Sequence, residues 1–377
     1  MQFIDLGAQR ARIADRLKTA IDSVIADGRY ILGPQVAEFE KKLAAYVGVK
    51  HVIACANGTD ALLLPLLASG IGPGDAVFVP SFTFAATAEV VALAHAEPVF
   101  VDIDPDTYNI DVASLEAAIA MVKMDGRLRP KAIIPVDLFG LAADYAAINA
   151  IAARENLLVI EDAAQSIGGK DGATMCGAFS HVGSTSFYPA KPLGCYGDGG
   201  AMFTNDDALM EKLRSYAFHG KGETQYDNVH VGLNSRLDTI QAAILIEKLA
   251  ILEDEMVSRQ RVARRYADGL NGVVKTAFMP KGSRSAWAQY AIETADRDGL
   301  KAHLQARGVP SVIYYVKPLH QQVAYRDFPR TPAGLPVSEI LPQRILCLPM
   351  HPYLTEADQD LIIAAIREYS GRNANAA

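Results

Sequence analysis

Between His51 and Thr204 the chain alternates seven short, strand-like runs with helical stretches. The runs are His51–Cys55, Ala76–Pro80, Pro98–Ile103, Ala132–Val136, Leu157–Ile160, Ser184–Tyr188 and Gly200–Thr204. Helical patterns at Asp60–Leu67, Ala85–Ala94, Ser114–Val122 and Tyr145–Glu155 separate most of them. Strands joined through helices cannot pair as tight hairpins. The alternation therefore predicts an α/β fold with a mainly parallel, seven-stranded sheet and helices on both faces. Sheets of this kind bind ligands beyond the carboxyl ends of their strands. The informative residues are those just after each strand.

The flanks read differently. Ala8–Asp27 places Ile13, Leu17, Ile21, Val24 and Ile25 near a helical period, and Gly28 ends it. A second amphipathic helix is predicted at Val36–Tyr46. Asp238–Gly269 reads as one long, charged helix leading to shorter elements at Tyr290–Thr294, Leu300–Arg307, Ser311–Tyr315 and Glu356–Tyr369. A chain of 377 residues exceeds the usual size of one core. The expected division is a large domain over 1–245 and a smaller α+β domain over 246–377.

Composition excludes several classes. The net charge of −7, with no lysine- or arginine-rich block, argues against a general nucleic-acid binder. The four cysteines, Cys55, Cys176, Cys195 and Cys347, show no metal-ligand spacing and read as reduced thiols of a cytoplasmic protein. MQFIDLGAQR lacks the apolar stretch of a signal peptide, and no apolar run is long enough to span a bilayer. The acidic run Asp102–Asp106 fails as a calcium loop, because Thr107 and Ala113 stand where glycine and glutamate are needed.

Candidate chemistry collects at the strand ends. Lys191 sits on a turn between two strand-like runs, bracketed by Pro189 and Pro192 and followed by Gly194, Gly197, Gly199 and Gly200. A lysine held on a stiff turn is a candidate Schiff-base former, although most loop lysines are only solvated. The glycines are expected to keep side chains clear of a ligand. Gly58 and Thr59 open a helix, where free amides and a hydroxyl suit a phosphate or make an ordinary capped turn. Phe84 either stacks on a flat ring or joins the core. Glu161 and Asp162 end an apolar strand, which is costly unless a cation or donor meets one of them. A carboxylate at Asp162 suits the ring nitrogen of pyridoxal phosphate, and Gln165 lies within reach of that ring's phenolic oxygen. Ser186 adds a hydroxyl for a phosphate. Gly197–Met202 does not fit the dinucleotide-binding pattern.

The segments FIDLGAQ, CANGTDAL, PSFTFAATAEV, VDIDPDTYNID, EDAAQSIG, SFYPAKPLGCYGDGG and GLNSRLDTIQAAIL occur in this order. Together they resemble the DegT/StrS-type sugar aminotransferases, fold type I enzymes that use pyridoxal 5'-phosphate. The resemblance implies Lys191 as the Schiff-base lysine, acting as base and then acid, with Asp162 on the pyridine nitrogen and Gln165 near the phenolic oxygen. It also implies Gly58, Thr59 and Ser186 on the phosphate, Phe84 over the ring, and Asn234 reaching the cofactor of a second subunit in a homodimer. Lysine rather than histidine at position 191 implies amino transfer rather than deoxygenation. The closest likeness is to enzymes that aminate UDP-2-acetamido-2-deoxy-3-oxo-D-glucuronate, with L-glutamate as donor and 2-oxoglutarate as product. Arg236 is then a candidate for the sugar carboxylate or else a structural arginine, and Tyr315 and His320 match sugar-contacting positions. The rival readings are a sugar dehydratase and a silent, regulatory protein on the same fold.

Overall fold

A computed structural model describes residues 1–224 and 226–374, with side chains up to 371. The seven expected strands form one sheet. They are β1 (His51–Cys55), β2 (Asp75–Pro80), β3 (Glu97–Val101), β4 (Arg129–Ile133), β5 (Leu158–Asp162), β6 (Val182–Ser186) and β7 (Gly200–Thr204), in the order β1-β7-β6-β5-β4-β2-β3. Only β7 runs against the rest: it pairs antiparallel with both β1 and β6, whereas the other neighbours pair parallel.

Alternate side chains of each strand point to opposite faces, and both faces are covered. On β2, Val77 and Val79 join the apolar cluster of α4 (Gly58–Ala68) and α5 (Ala86–Leu93), with Leu62, Leu64, Val90 and Val91. Ala76 and Phe78 face the other way, against Leu115, Ile119, Ile148 and Ile151 of α6 (Val112–Asp125) and α7 (Tyr145–Glu155). α3 (Pro34–Val47) packs Phe39 and Leu43 against Val52 of β1 and Phe203 of β7.

α9 (Thr239–Leu270) is a single helix of 32 residues, about 48 Å long at 1.5 Å per residue. Its first half packs Ala242, Leu245 and Leu252 into the core shared with α3. Its second half packs Val262, Tyr266 and Leu270 against Tyr290 and Leu346 of the C-terminal region. The expected boundary near 245 therefore falls inside a continuous helix. Beyond it, β8 (Lys275–Thr276), β9 (Tyr290–Glu293) and β10 (Ile345–Leu348) form a small antiparallel sheet, covered by α10 (Arg297–Ala306) and α12 (Glu356–Ala374).

Some expectations move. The first helix is two, Leu6–Arg12 and Ala14–Asp27, because the backbone leaves helical angles at Ile13 (φ −124°, ψ 21°). Ile13 points into the core beside Ile244 and Ile251, so packing overrides the local period. Ser311–Tyr315 is not a strand; only Val312 pairs, as an isolated bridge to Cys347. The strand at 184–188 ends at Ser186, two residues early, which frees Phe187 and Tyr188 to start the turn. All four cysteines are buried and unpaired. No helix of the described residues is long and apolar enough to cross a membrane.

Phe78 is fully buried on β2. Phe78→Ala should cost about 3–5 kcal/mol in chemical denaturation, with an unchanged dependence on denaturant concentration. A loss below about 1 kcal/mol would show that the two-sided packing of the sheet is misassigned.

Candidate active site

β5 ends on two acids that face opposite ways. Asp162 is buried; its Oδ1 accepts from the Ala164 amide at 3.1 Å and its Oδ2 from Thr87 Oγ1 at 3.3 Å. Thr87 lies on α5 and is itself bonded to Thr83 Oγ1 at 3.2 Å. Burial pushes the Asp162 carboxyl up, opposed by the Ala164 amide, by the nearby Lys191 ammonium and by Thr87. The same burial pushes Lys191 down, opposed by Asp162. A buried acid and a half-buried lysine thus feel each other's charge at the carboxyl end of the sheet, and the amine loses its proton more readily than a surface lysine.

The turn carrying Lys191 folds back tightly. The Lys191 amide donates to Tyr188 O at 2.9 Å and the Cys195 amide to Phe187 O at 2.7 Å. A Cβ on Gly194 would lie 2.5 Å from Pro189 O and 2.6 Å from Tyr188 O. At Gly200 it would lie 2.4 Å from Asn57 O, and at Gly58 it would lie 2.6 Å from Ser186 Cβ. Gly194 and Gly200 therefore allow main chain to pack on main chain, and Gly58 allows it to pack on the Ser186 side chain. The Gly58 contact also brings Ser186 against the first turn of α4. Asn57 caps that helix by accepting from the Asp60 amide at 2.8 Å, which leaves Gly58 and Thr59 at its electropositive, open end. A phosphate-sized anion suits this cradle.

Gln165 is fixed at both ends of its amide. Its Oε1 accepts from the Phe139 amide at 2.6 Å, and its Nε2 donates to the Tyr315 hydroxyl at 3.3 Å. The Tyr315 ring meets buried Phe82 edge-on at 5.6 Å, and its phenol is pushed up by burial and by Asp162. Asp162, Gln165, Lys191 and Tyr315 are therefore linked by bonds or mutual charge. Phe84 is 60% exposed, which excludes the core alternative and leaves its ring free at the strand end.

Three expected residues lie off this group. Arg236 donates to Asn234 Oδ1 and stacks over the Phe218 ring at 4.8 Å. Among the described contacts, neither Arg236 nor Asn234 bonds to Lys191, Asp162 or Tyr315. Ser235 between them is buried and accepts from the Ala56 amide at 3.2 Å, which ties this strip to the phosphate-sized cradle. His320 is buried, with Nδ1 2.6 Å from Ser81 Oγ and Nε2 3.2 Å from Glu339. Both ring nitrogens thus have protein partners, Ser81 on the strand-end segment and Glu339. Thr87 and Ser81 were not picked out from the sequence, though both lie in or beside the PSFTFAATAEV run.

The second acid of β5, Glu161, accepts from the Gly177 and Phe179 amides and lies beside buried Asp137. Asp137 accepts from the Ala143 amide, the Tyr145 hydroxyl and the Ser166 hydroxyl. With Cys176 these form the one cluster of potential metal ligands among the described residues, but the carboxylates are already met by protein donors. Burial pushes Asp137 up to about 6 and Glu161 well above the carboxylate range. Two buried acids this close resist both being charged, so the pair holds a shared proton to higher pH than separate acids would.

The chain belongs to the DegT/DnrJ/EryC1/StrS aminotransferase family, whose model matches residues 11–367. It is 50% identical, over 97% of its length and 99% of the other protein, to a UDP-2-acetamido-2-deoxy-3-oxo-D-glucuronate aminotransferase of Pseudomonas aeruginosa. A crystal structure of a DegT DnrJ EryC1 StrS aminotransferase from Brucella abortus matches with a TM-score of 0.98 at 73% identity, covering 98% of this chain and 100% of that one. NtdA of Bacillus subtilis, solved with bound cofactor PMP, matches with a TM-score of 0.87 at 30% identity, covering 98% and 83%.

An acid whose pKa is raised by folding stabilises the fold fully below its unfolded value, and that contribution disappears as pH rises through its folded value. For Asp137 the window runs from about 4, the unfolded value, to about 6. Asp137→Asn should therefore lose less thermal stability than the parent between these pH values, measured by melting of the cofactor-free protein. Parallel melting curves would contradict the shared proton.

Proposed function

We propose that this chain is a pyridoxal 5'-phosphate-dependent aminotransferase that moves an amino group from L-glutamate to a keto nucleotide sugar. The preferred acceptor is UDP-2-acetamido-2-deoxy-3-oxo-D-glucuronate, within surface polysaccharide synthesis in the cytoplasm. The observation that carries this is a buried acid, Asp162, at the end of β5 and a half-buried lysine, Lys191, on the turn beyond the neighbouring β6, in one another's field.

The residues present fit the cofactor. Its anionic phosphate suits the open amides of Gly58 and Thr59 with the Ser186 hydroxyl pressed against them. Asp162, braced by Thr87 and Ala164, gives the charge that holds a proton on a pyridine nitrogen. Phe84 offers an exposed face for the ring, and Gln165, immobilised by Phe139 and Tyr315, borders its phenolic oxygen. Bound there, the cofactor supplies an electron sink for the negative charge that develops at the amino-bearing carbon. Lys191 would take the proton from that carbon and return it to the carbon on the far side of the intervening nitrogen, a task suited to an amine whose proton affinity burial has lowered. Two successive half-reactions at one such site give ping-pong kinetics.

The acceptor and the assembly rest on the strip around Arg236. Among the described contacts its guanidinium meets no carboxylate, so it remains available for a sugar acid and for glutamate in turn. Ile31 bridges to Asp238, two residues beyond Arg236, and lies in an exposed apolar run, Tyr30–Leu32. Such a patch beside Asn234 and Arg236 supports a homodimer in which both act on the partner's site. Tyr315 and His320 border the sugar. In this reading residues 1–245 hold the cofactor and 246–377 form a smaller domain that closes the substrate side.

Lys191→Ala should lose at least about a thousandfold in turnover, and Asp162→Asn should weaken cofactor retention. Arg236→Ala should lower kcat/KM for the UDP-linked sugar acid by about tenfold to a hundredfold, while a neutral keto nucleotide sugar changes little. The two substrates are compared by mass of the aminated product. Equal losses on both would remove the carboxylate role of Arg236, and full activity of Lys191→Ala would remove the reading itself.

A further inference from the structure

A second lysine lies behind the turn that carries the first. Lys248, on α9, is only 1% exposed. Its Nζ donates to Gly194 O at 2.6 Å and sits 4.1 Å from the centre of the Tyr196 ring. Among the described residues it forms no ion pair with a carboxylate. Burying an ammonium on one carbonyl and one ring face is costly, and an apolar side chain of similar length would fill the same space without that penalty.

The position of Gly194 says what the charge can act on. Gly194 is pressed so closely on Tyr188 O and Pro189 O that not even a Cβ fits between them. Its peptide is therefore held between Lys248 on one side and, on the other, the backbone leading into Lys191. The next residues are clasped by the same helix: the Tyr196 amide donates to Gln241 Oε1 at 2.8 Å, one heptad before Lys248. Cys195 adds bonds from Sγ to Phe187 O and Gly197 O, at 3.1 and 3.0 Å, which close the turn on itself. A sideways force at Gly194 is thus carried to residues 188–191 without slack.

We propose that Lys248 is a positioning residue for Lys191: its buried ammonium clamps the Gly194 carbonyl and so fixes the turn that carries Lys191. This rests on Lys191 being the cofactor-binding amine. The groups that face Lys248 are Gly194 and Cys195 on the turn, the Tyr196 ring, and Glu255 further along α9; Arg10 of the N-terminal helix in turn acts on Tyr196. Burial pushes Lys248 down to about 8, opposed by Cys195 and Glu255, so it carries its charge at neutral pH and begins to lose it only in mild alkali. The Cys195 thiol is pushed up by burial and held down in part by Lys248.

The test uses cofactor-free full-length protein, its parent form and the variants Lys248→Met and Lys248→Gln. The amine of Lys191 condenses with the aldehyde of pyridoxal phosphate, releasing one water, and the rate is followed by absorbance as a function of pH. The parent should capture the cofactor and Lys191→Ala should not, which tests the underlying assignment separately. Lys248→Met should capture about tenfold more slowly at neutral pH, with the midpoint of its pH profile unchanged. Lys248→Gln, which keeps a donor for Gly194, should recover most of the rate. Parent-like rate in folded Lys248→Met, a Lys248→Gln as slow as Lys248→Met, or failure of both to fold would overturn the proposal and leave Lys248 a structural residue.

Discussion

The candidate site is built around the mutual field of Asp162 and Lys191. Neither group is comfortable alone: burial raises the acid and lowers the amine, and each partly restores the other. The sheet makes the arrangement possible by ending β5 and β6 side by side, so that a residue at the end of one strand and a turn beyond the next share one space. The rest of the site serves this pair. Thr87 and the Ala164 amide hold the acid, the folded-back turn holds the amine, and Gln165 and Tyr315 border the gap. A ligand that brings a cation to Asp162 and a carbonyl to Lys191 would relieve both groups at once.

Close backbone packing is the second constraint. Gly58, Gly194 and Gly200 stand where a single added carbon would collide with neighbouring main chain or with Ser186. The result is a helix N-terminus, a strand end and a lysine turn assembled with almost no side chain between them. α9 supports this assembly from below through Gln241 and Lys248. The same helix then runs into the C-terminal core, so the large sheet and the C-terminal sheet share one rod.

Much of this was legible in the sequence, and the reason is local. The strand periods, the glycines after β6 and the acids ending β5 are contiguous patterns, and they located the sheet, Lys191, Asp162 and Gln165. Contacts between distant segments were less visible. Nothing local shows that Thr87 turns toward Asp162, that Glu161 turns away to meet Asp137, or that Gly194 packs on Pro189. His320 shows the limit most clearly: its place in the family pattern suggested a sugar contact, and nothing local shows that Ser81 and Glu339, 239 and 19 residues away along the chain, meet its ring. Strand order was equally hidden, since the insertion of β7 between β1 and β6 depends on packing rather than on period.

Reduction of the pyridoxal phosphate-loaded protein with borohydride, followed by peptide mass spectrometry, tests the central claim most directly. One pyridoxyl group per chain on the peptide containing Lys191 is the predicted result. Labelling at another lysine, Lys248 included, or no stable label at all, would contradict it.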